Sequence, residues 1–197
     1  MTMRLADLDL DRLDDCTPEN RWGAGTERDR FLYRDDRYWY KIWGPLYLAA
    51  SPYASGGKFH KHPAPLRQPH GFEVGLFTPE ISGAFETFIC DEDNIVRGYV
   101  TRAGRKPRKV TDTFVESVFQ ACVASGWAYG DFCYNNVVEV DTQLSLIDFD
   151  THLTKFDTMD IAFEEEKGAL RPHVFPAFRD LILSELAHRT ELAARNE

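Results

Sequence analysis

Three residues in the stretch YGDFCYNNVVEVDTQLSLIDFD, residues 129–150, have the types and spacing that could do chemistry: Asp131, Asn136 and Asp148. Asn136 follows Asp131 by five residues, and two apolar runs around Asp141-Thr142-Gln143 then lead to Asp148. Carboxylate and amide oxygens are the hard donors that Mg²⁺ takes. Because that ion keeps several waters, one Asp and one Asn from separate loops are enough to hold it. A short hairpin between them would bring Asn136 and Asp148 together although they stand 12 residues apart in the chain. Asp131 would share the loop with Asn136 and face a reacting hydroxyl. Metal ligands, a cation for the phosphates and a carboxylate beside the attacking oxygen are together what phosphoryl transfer asks of a protein.

The elements that must position these groups are legible to different degrees. A helix is predicted from about Asp112: Thr113 and Glu116 fit a capping box, and Phe114, Val115, Val118, Phe119, Cys122 and Val123 recur at helical spacing. Gly126 is the natural stop. NVVEV and LSLID flank a tight turn and read as two short strands. A second helix is predicted over about 176–194, with Phe178, Leu181, Ile182, Leu186 and Ala193 on one side. Upstream, residues 1–19 read as a short leading helix and a turn at CTPEN. RFLYR and YWYKIW read as a hairpin turning at Asp35-Asp36, and AFETFICD and IVRGYVT as a second one. Residues 44–70 hold five Pro and three Gly and read as an irregular exposed loop. RAGRKPRK reads as a polar linker. Strands first and helices later predict an α+β chain of two lobes, an N-terminal antiparallel sheet over 1–100 and a reduced, mainly helical part over 101–197, with the boundary near residues 99–110.

YGDFCYNN followed by LIDFD resembles the catalytic and metal-binding loops of the protein-kinase-like fold, closest to its aminoglycoside, choline and lipopolysaccharide-sugar kinase branches. The resemblance implies that Asp131 is the catalytic residue that orients or deprotonates the acceptor hydroxyl, that Asn136 and Asp148 are the Mg²⁺ ligands, and that ATP is the donor. Tyr129 stands where those branches carry a His that braces the loop. Asp150 stands where regulated protein kinases have the Gly of Asp-Phe-Gly, which implies a site that is constitutively formed. No Ala-Pro-Glu follows Asp150, and the acidic run Glu164 to Glu166 reads as a solvated face. That departure points away from peptide substrates and toward a small molecule, glycan or lipid head group.

The same resemblance assigns roles in the first half. Lys41, in the strand-like YWYKIW, would hold the α- and β-phosphates; its other reading is an edge-strand Lys that discourages aggregation. Gly23 and Gly25 lie where a phosphate-covering loop is due, with Arg28 in place of a third Gly. Glu73 is the expected ion-pair partner of Lys41, with Glu80 and Glu86 as competitors. Tyr99 to Thr101 would be the hinge whose backbone meets the adenine, or simply one more strand. Arg97, Arg102, Arg105, Lys106, Arg108 and Lys109 form a basic island, read either as a solvated linker or as a dock for an acidic acceptor.

The bulk numbers bound the alternatives. The 197 residues are 43% hydrophobic, enough for a core, and the net charge of −9 disfavours non-specific binding to nucleic acid or anionic membrane. No run reaches the roughly 18 apolar residues of a membrane span. The acidic start MTMRLADLDLDRLDD lacks the apolar core of a signal peptide, and Cys16, Cys90, Cys122 and Cys133 show no zinc-finger spacing, so a cytoplasmic protein with reduced thiols is expected. Two other classes compete with the enzyme: a pseudokinase-like nucleotide-binding or regulatory module, and an interaction protein with a coincidental motif.

Overall fold

The computed structural model describes residues 3–8, 30–34, 37–43, 53–54, 58–59, 75–76, 78–92, 96–148, 153–159, 170 and 172–195. The described chain is a mixed α+β structure that divides into two compact units, Met1–Arg67 with Ala84–Gly104 and Gln68–Gly83 with Arg105–Glu197. Residues 68–83, which the sequence reading assigns to the first part, group with the second.

The described strands of the first unit are β1 (Met3–Arg4), β2 (Arg30–Arg34), β3 (Tyr38–Trp43), β4 (Tyr53–Ala54), β5 (Lys58–Phe59), β6 (Phe85–Cys90) and β7 (Val96–Arg102). Five of them form one sheet in the order β1-β6-β7-β3-β2, antiparallel except where β1 runs parallel to β6. Alternation along a strand sends Tyr40 to the core with Ile89 and Val100, and Met3, Leu8 and Tyr38 pack on that cluster. The leading helix is not what forms at Met3–Asp7: Met3 and Arg4 pair with Ile89 and Cys90, and a single 3₁₀ turn, Leu5–Asp7, follows. Sheet pairing, reinforced by the Arg4 guanidinium donating to the Asp91 carbonyl at 2.6 Å, overrides local helix preference.

Among its described residues the second unit holds two helices, α1 (Asp112–Ser125) and α2 (Pro176–Arg195), with β8 (Trp127–Tyr129) paired to β11 (Leu153–Lys155) and β9 (Val137–Val140) paired to β10 (Gln143–Leu146). α1 buries Phe114, Val115, Val118, Phe119 and Cys122. Its N-cap is Thr111, whose hydroxyl accepts from the Phe114 N–H at 3.2 Å, so the expected Thr113–Glu116 box is not the cap. The helix begins one residue past Thr111, which places Thr113 inside the first turn. Gly126 closes α1 at φ 75°, donating to Cys122 and Val123, in the left-handed conformation that glycine adopts without penalty. α2 buries Phe178, Ile182 and Leu186, whereas Ala193 is exposed.

Around the aromatic centre of this unit, Phe132 is fully buried and meets three rings edge-on: Phe178 at 4.9 Å, Phe175 at 5.0 Å and Phe114 at 6.1 Å. Such pairs add to ordinary apolar burial. Replacing Phe132 by Ala is expected to lower the unfolding free energy of the intact chain by about 3–5 kcal/mol. A denaturant titration showing less than about 1 kcal/mol would contradict the anchoring role. Cys122 offers a pH test. Burial pushes its thiol up to about 12 from an ordinary 9.0. A raised folded value means that its contribution is complete below the ordinary value and is lost as the pH climbs through the folded one. The stability advantage of the wild type over Cys122→Ala should therefore shrink from about pH 9 upward, measured by denaturation at pH 8 and pH 11.

Candidate functional site

A loop between β8 and β9 carries Asp131, Phe132 and Cys133, and the buried Phe132 ring is what fixes it. Asp131 on one side of that anchor is only partly buried, and Cys133 on the other is buried. The single 3₁₀ turn Tyr134–Asn136 then delivers Asn136 to the start of β9.

The β9–β10 hairpin does what its sequence predicts. Val140 pairs with Gln143 across a two-residue turn, Asp141-Thr142, both at positive φ (49° and 69°). Paired positive values of this kind belong to the turn whose twist matches the strands. At the open end Val137 pairs with Leu146, and the Ile147 N–H donates to the Asn136 carbonyl at 2.8 Å. Asn136 and Asp148 therefore leave the hairpin at the same end. Asp148 itself sits at φ 66°, a conformation costing a non-glycine residue about 1–3 kcal/mol.

Tyr129 joins these pieces. Its buried hydroxyl donates to the Asp148 carbonyl at 2.7 Å and accepts from Asn136 Nδ2 at 3.3 Å. The same Nδ2 donates to the Asp131 carbonyl at 2.9 Å and to Asp131 Oδ2 at 3.0 Å. The amide nitrogen thus spends its donors on Tyr129 and Asp131, and Asn136 Oδ1 takes no part in these bonds. With Asp148 it gives two hard oxygen-bearing side chains at one end of one hairpin, a donor set that suits Mg²⁺.

The other expected residues fall out differently. Lys41 lies on β3, an inner strand, opposite Tyr99 of β7, with its ammonium 5.8 Å from the Tyr99 ring centre. The edge-strand reading of Lys41 is therefore corrected. Tyr99 and Thr101 lie within β7, each paired with β3 on one side and β6 on the other. Glu86 is ion-paired with Arg102 at 3.0 Å, and Glu80 is exposed, its carboxyl held below the ordinary value by the Thr78 side chain. Gly23, Gly25, Glu73 and Asp150 lie outside the described residues.

At its centre the basic island is tied down rather than a free linker. Arg105 forms a β-bridge with Glu139 and an ion pair to its carboxylate at 2.6 Å. Lys106 donates to the Asn135 carbonyl at 2.5 Å and to the Tyr134 carbonyl at 3.5 Å, and burial lowers its ammonium from the ordinary lysine value. The Tyr134 hydroxyl reaches back to the Pro107 carbonyl. These contacts tie residues 105–107 to the loop that carries Asn136.

One site residue escapes sequence reasoning. His173 Nε2 lies 2.7 Å from Asp131 Oδ1. The Phe175 N–H donates to the Phe132 carbonyl at 3.0 Å, so the aromatic anchor also holds the segment that carries His173. Its only signal in the chain is a histidine between Pro172 and Pro176, 42 residues from its partner. Asp131, Cys133 and His173 together suggest a thiol nucleophile with a base and an orienting carboxylate. Burial raises the Cys133 thiol, the reverse of what a nucleophile needs, so that chemistry is disfavoured.

Neither protein-family models nor curated proteins give a match to the chain. Among the described residues no helix is long and apolar enough to cross a membrane.

The Tyr129 hydroxyl is the joint most open to test. Tyr129→Phe keeps the ring and removes the hydroxyl's bonds to the Asp148 carbonyl and to Asn136 Nδ2. It is expected to cost about 1–3 kcal/mol, read by chemical denaturation, and a neutral effect would show that the hydroxyl ties nothing together.

Proposed function

We propose that the chain is an ATP- and Mg²⁺-dependent phosphotransferase of protein-kinase-like architecture, acting on a hydroxyl of a small molecule, a glycan or a lipid head group. The observation that carries the reading is the Asp131–Asn136–Tyr129–Asp148 constellation. Asn136 Nδ2 is 3.0 Å from the Asp131 carboxylate, and the Tyr129 hydroxyl links the same amide to the Asp148 backbone. Asp131 accepts the hydrogen bond of the acceptor hydroxyl and aligns its oxygen for attack. Asn136, by donating to Asp131, keeps that carboxylate in place, and its Oδ1 and the Asp148 carboxylate would be the oxygens that hold Mg²⁺. Bound Mg²⁺ neutralises the charge of the phosphates. Lys41 is the cation assigned to the phosphates. Tyr129 acts as the brace that a His provides in the resembled branches. The absence of an Ala-Pro-Glu segment between Asp150 and α2 favours a small acceptor over a peptide.

A second reading, a nucleotide-binding module without transfer, is favoured by one observation: His173 engages Asp131 Oδ1, an oxygen that catalysis would use.

Thermal unfolding with ATP and Mg²⁺ separates the classes, since a ligand that binds only the folded chain stabilises it by about 2.7 kcal/mol at a hundred times its Kd. The wild type should shift upward and Asp148→Ala should not. Asp131→Ala should keep the shift and lose turnover by roughly 10²–10⁴-fold. No shift in the wild type contradicts nucleotide binding; a shift without transfer to any acceptor selects the second reading.

A further inference from the structure

Side chains of three chemical kinds converge at the loop. One carboxylate oxygen of Asp131, the sulfur of Cys133 and one ring nitrogen of His173 lie within 4.8 Å of one another. We propose that these three residues form a binding site for a zinc-class divalent cation, separate in chemistry from the Mg²⁺ set. Its filling withdraws Asp131 from the acceptor, and this second part rests on the phosphotransferase reading.

The donor set decides the class of ion. Nitrogen and sulfur are poor partners for Mg²⁺, whereas Zn²⁺ takes thiolate, imidazole and carboxylate in one tetrahedral shell. Three protein ligands with the fourth position left to water is the pattern of an open zinc site. Solvent can supply that position, because the His173 side chain is 52% exposed while that of Asp131 is 14% exposed.

The frame is already built. Asp131 and Cys133 flank the buried Phe132, and His173 precedes by two residues the Phe175 N–H that bonds the Phe132 carbonyl at 3.0 Å. All three donors are therefore referred to one aromatic anchor. Zn–N and Zn–O bonds of about 2.0–2.1 Å set tetrahedral donors roughly 3.3 Å apart. The His173–Asp131 hydrogen bond at 2.7 Å need only open by a fraction of an ångström as its proton leaves, and an exposed imidazole can make that movement. Asn136 Nδ2 on Asp131 Oδ2 is the supporting bond that orients the carboxylate.

The test uses the intact, tag-free chain titrated with Co²⁺ as a spectroscopic stand-in for Zn²⁺. The expected result is one equivalent bound, with thiolate-to-cobalt charge-transfer absorption and the visible bands of a tetrahedral centre. Zn²⁺ should displace them and excess Mg²⁺ should not. Cys133→Ser should lose the charge-transfer band, and His173→Ala, a change at an exposed side chain that spares the core, should weaken binding at least tenfold. Absence of the band in the wild type, or its survival unchanged in His173→Ala, overturns the site. Binding is read without nucleotide, so the site is judged even if the chain never transfers phosphate. Where transfer is measurable, one equivalent of Zn²⁺ should abolish it in the wild type and spare it in His173→Ala. Undiminished transfer by the Zn²⁺-loaded wild type overturns the second part.

Discussion

The burial of one phenylalanine organises the candidate site. Phe132 is clasped by rings from α1, from α2 and from the segment before α2, and its backbone neighbours are the two residues with the most chemistry, Asp131 and Cys133. A loop residue that fills a core position converts packing energy into positional precision. The main chain on either side cannot drift without opening a cavity, which close-packed interiors resist. The Phe132 carbonyl accepts from the Phe175 N–H, and so the same ring places His173 as well. Helix packing is in this sense the first determinant of the polar geometry.

A second constraint is the β9–β10 hairpin. A two-residue turn leaves its strands in a single register, and register decides which residues emerge together at the open end. Asn136 and Asp148 emerge together because Val140 pairs with Gln143, and slippage by one residue would separate them. Tyr129, arriving on β8, then locks hairpin to loop with one hydroxyl that both donates and accepts. The cost of holding Asp148 at positive φ is tolerable because the surrounding bonds over-determine it.

Much of this was legible in the residues themselves. The Asp131–Asn136 spacing, the turn at Asp141-Thr142 and the apolar face of α1 are local patterns, and local patterns survive folding. The failures have non-local causes. His173 meets Asp131 through a packing contact between distant segments, and no periodicity announces that. Tyr99 and Thr101 read equally as hinge or strand, and only the pairing on both sides sets them within β7. The basic residues near 105 read as a charge run, yet Glu139 and the carbonyls of the Asn136 loop claim Arg105 and Lys106. At Met3 and Arg4, residues read as part of a helix pair with β6 instead.

The account turns on where a divalent cation and its nucleotide settle. A crystal of the chain with Mn²⁺ and a non-hydrolysable ATP analogue, measured at the manganese edge, tests it most directly. The account predicts an anomalous peak about 2.1–2.2 Å from Asn136 Oδ1 and from an Asp148 carboxylate oxygen, with the γ-phosphate toward Asp131. Nucleotide bound with the peak remote from both side chains, or no nucleotide at millimolar concentration, would contradict it.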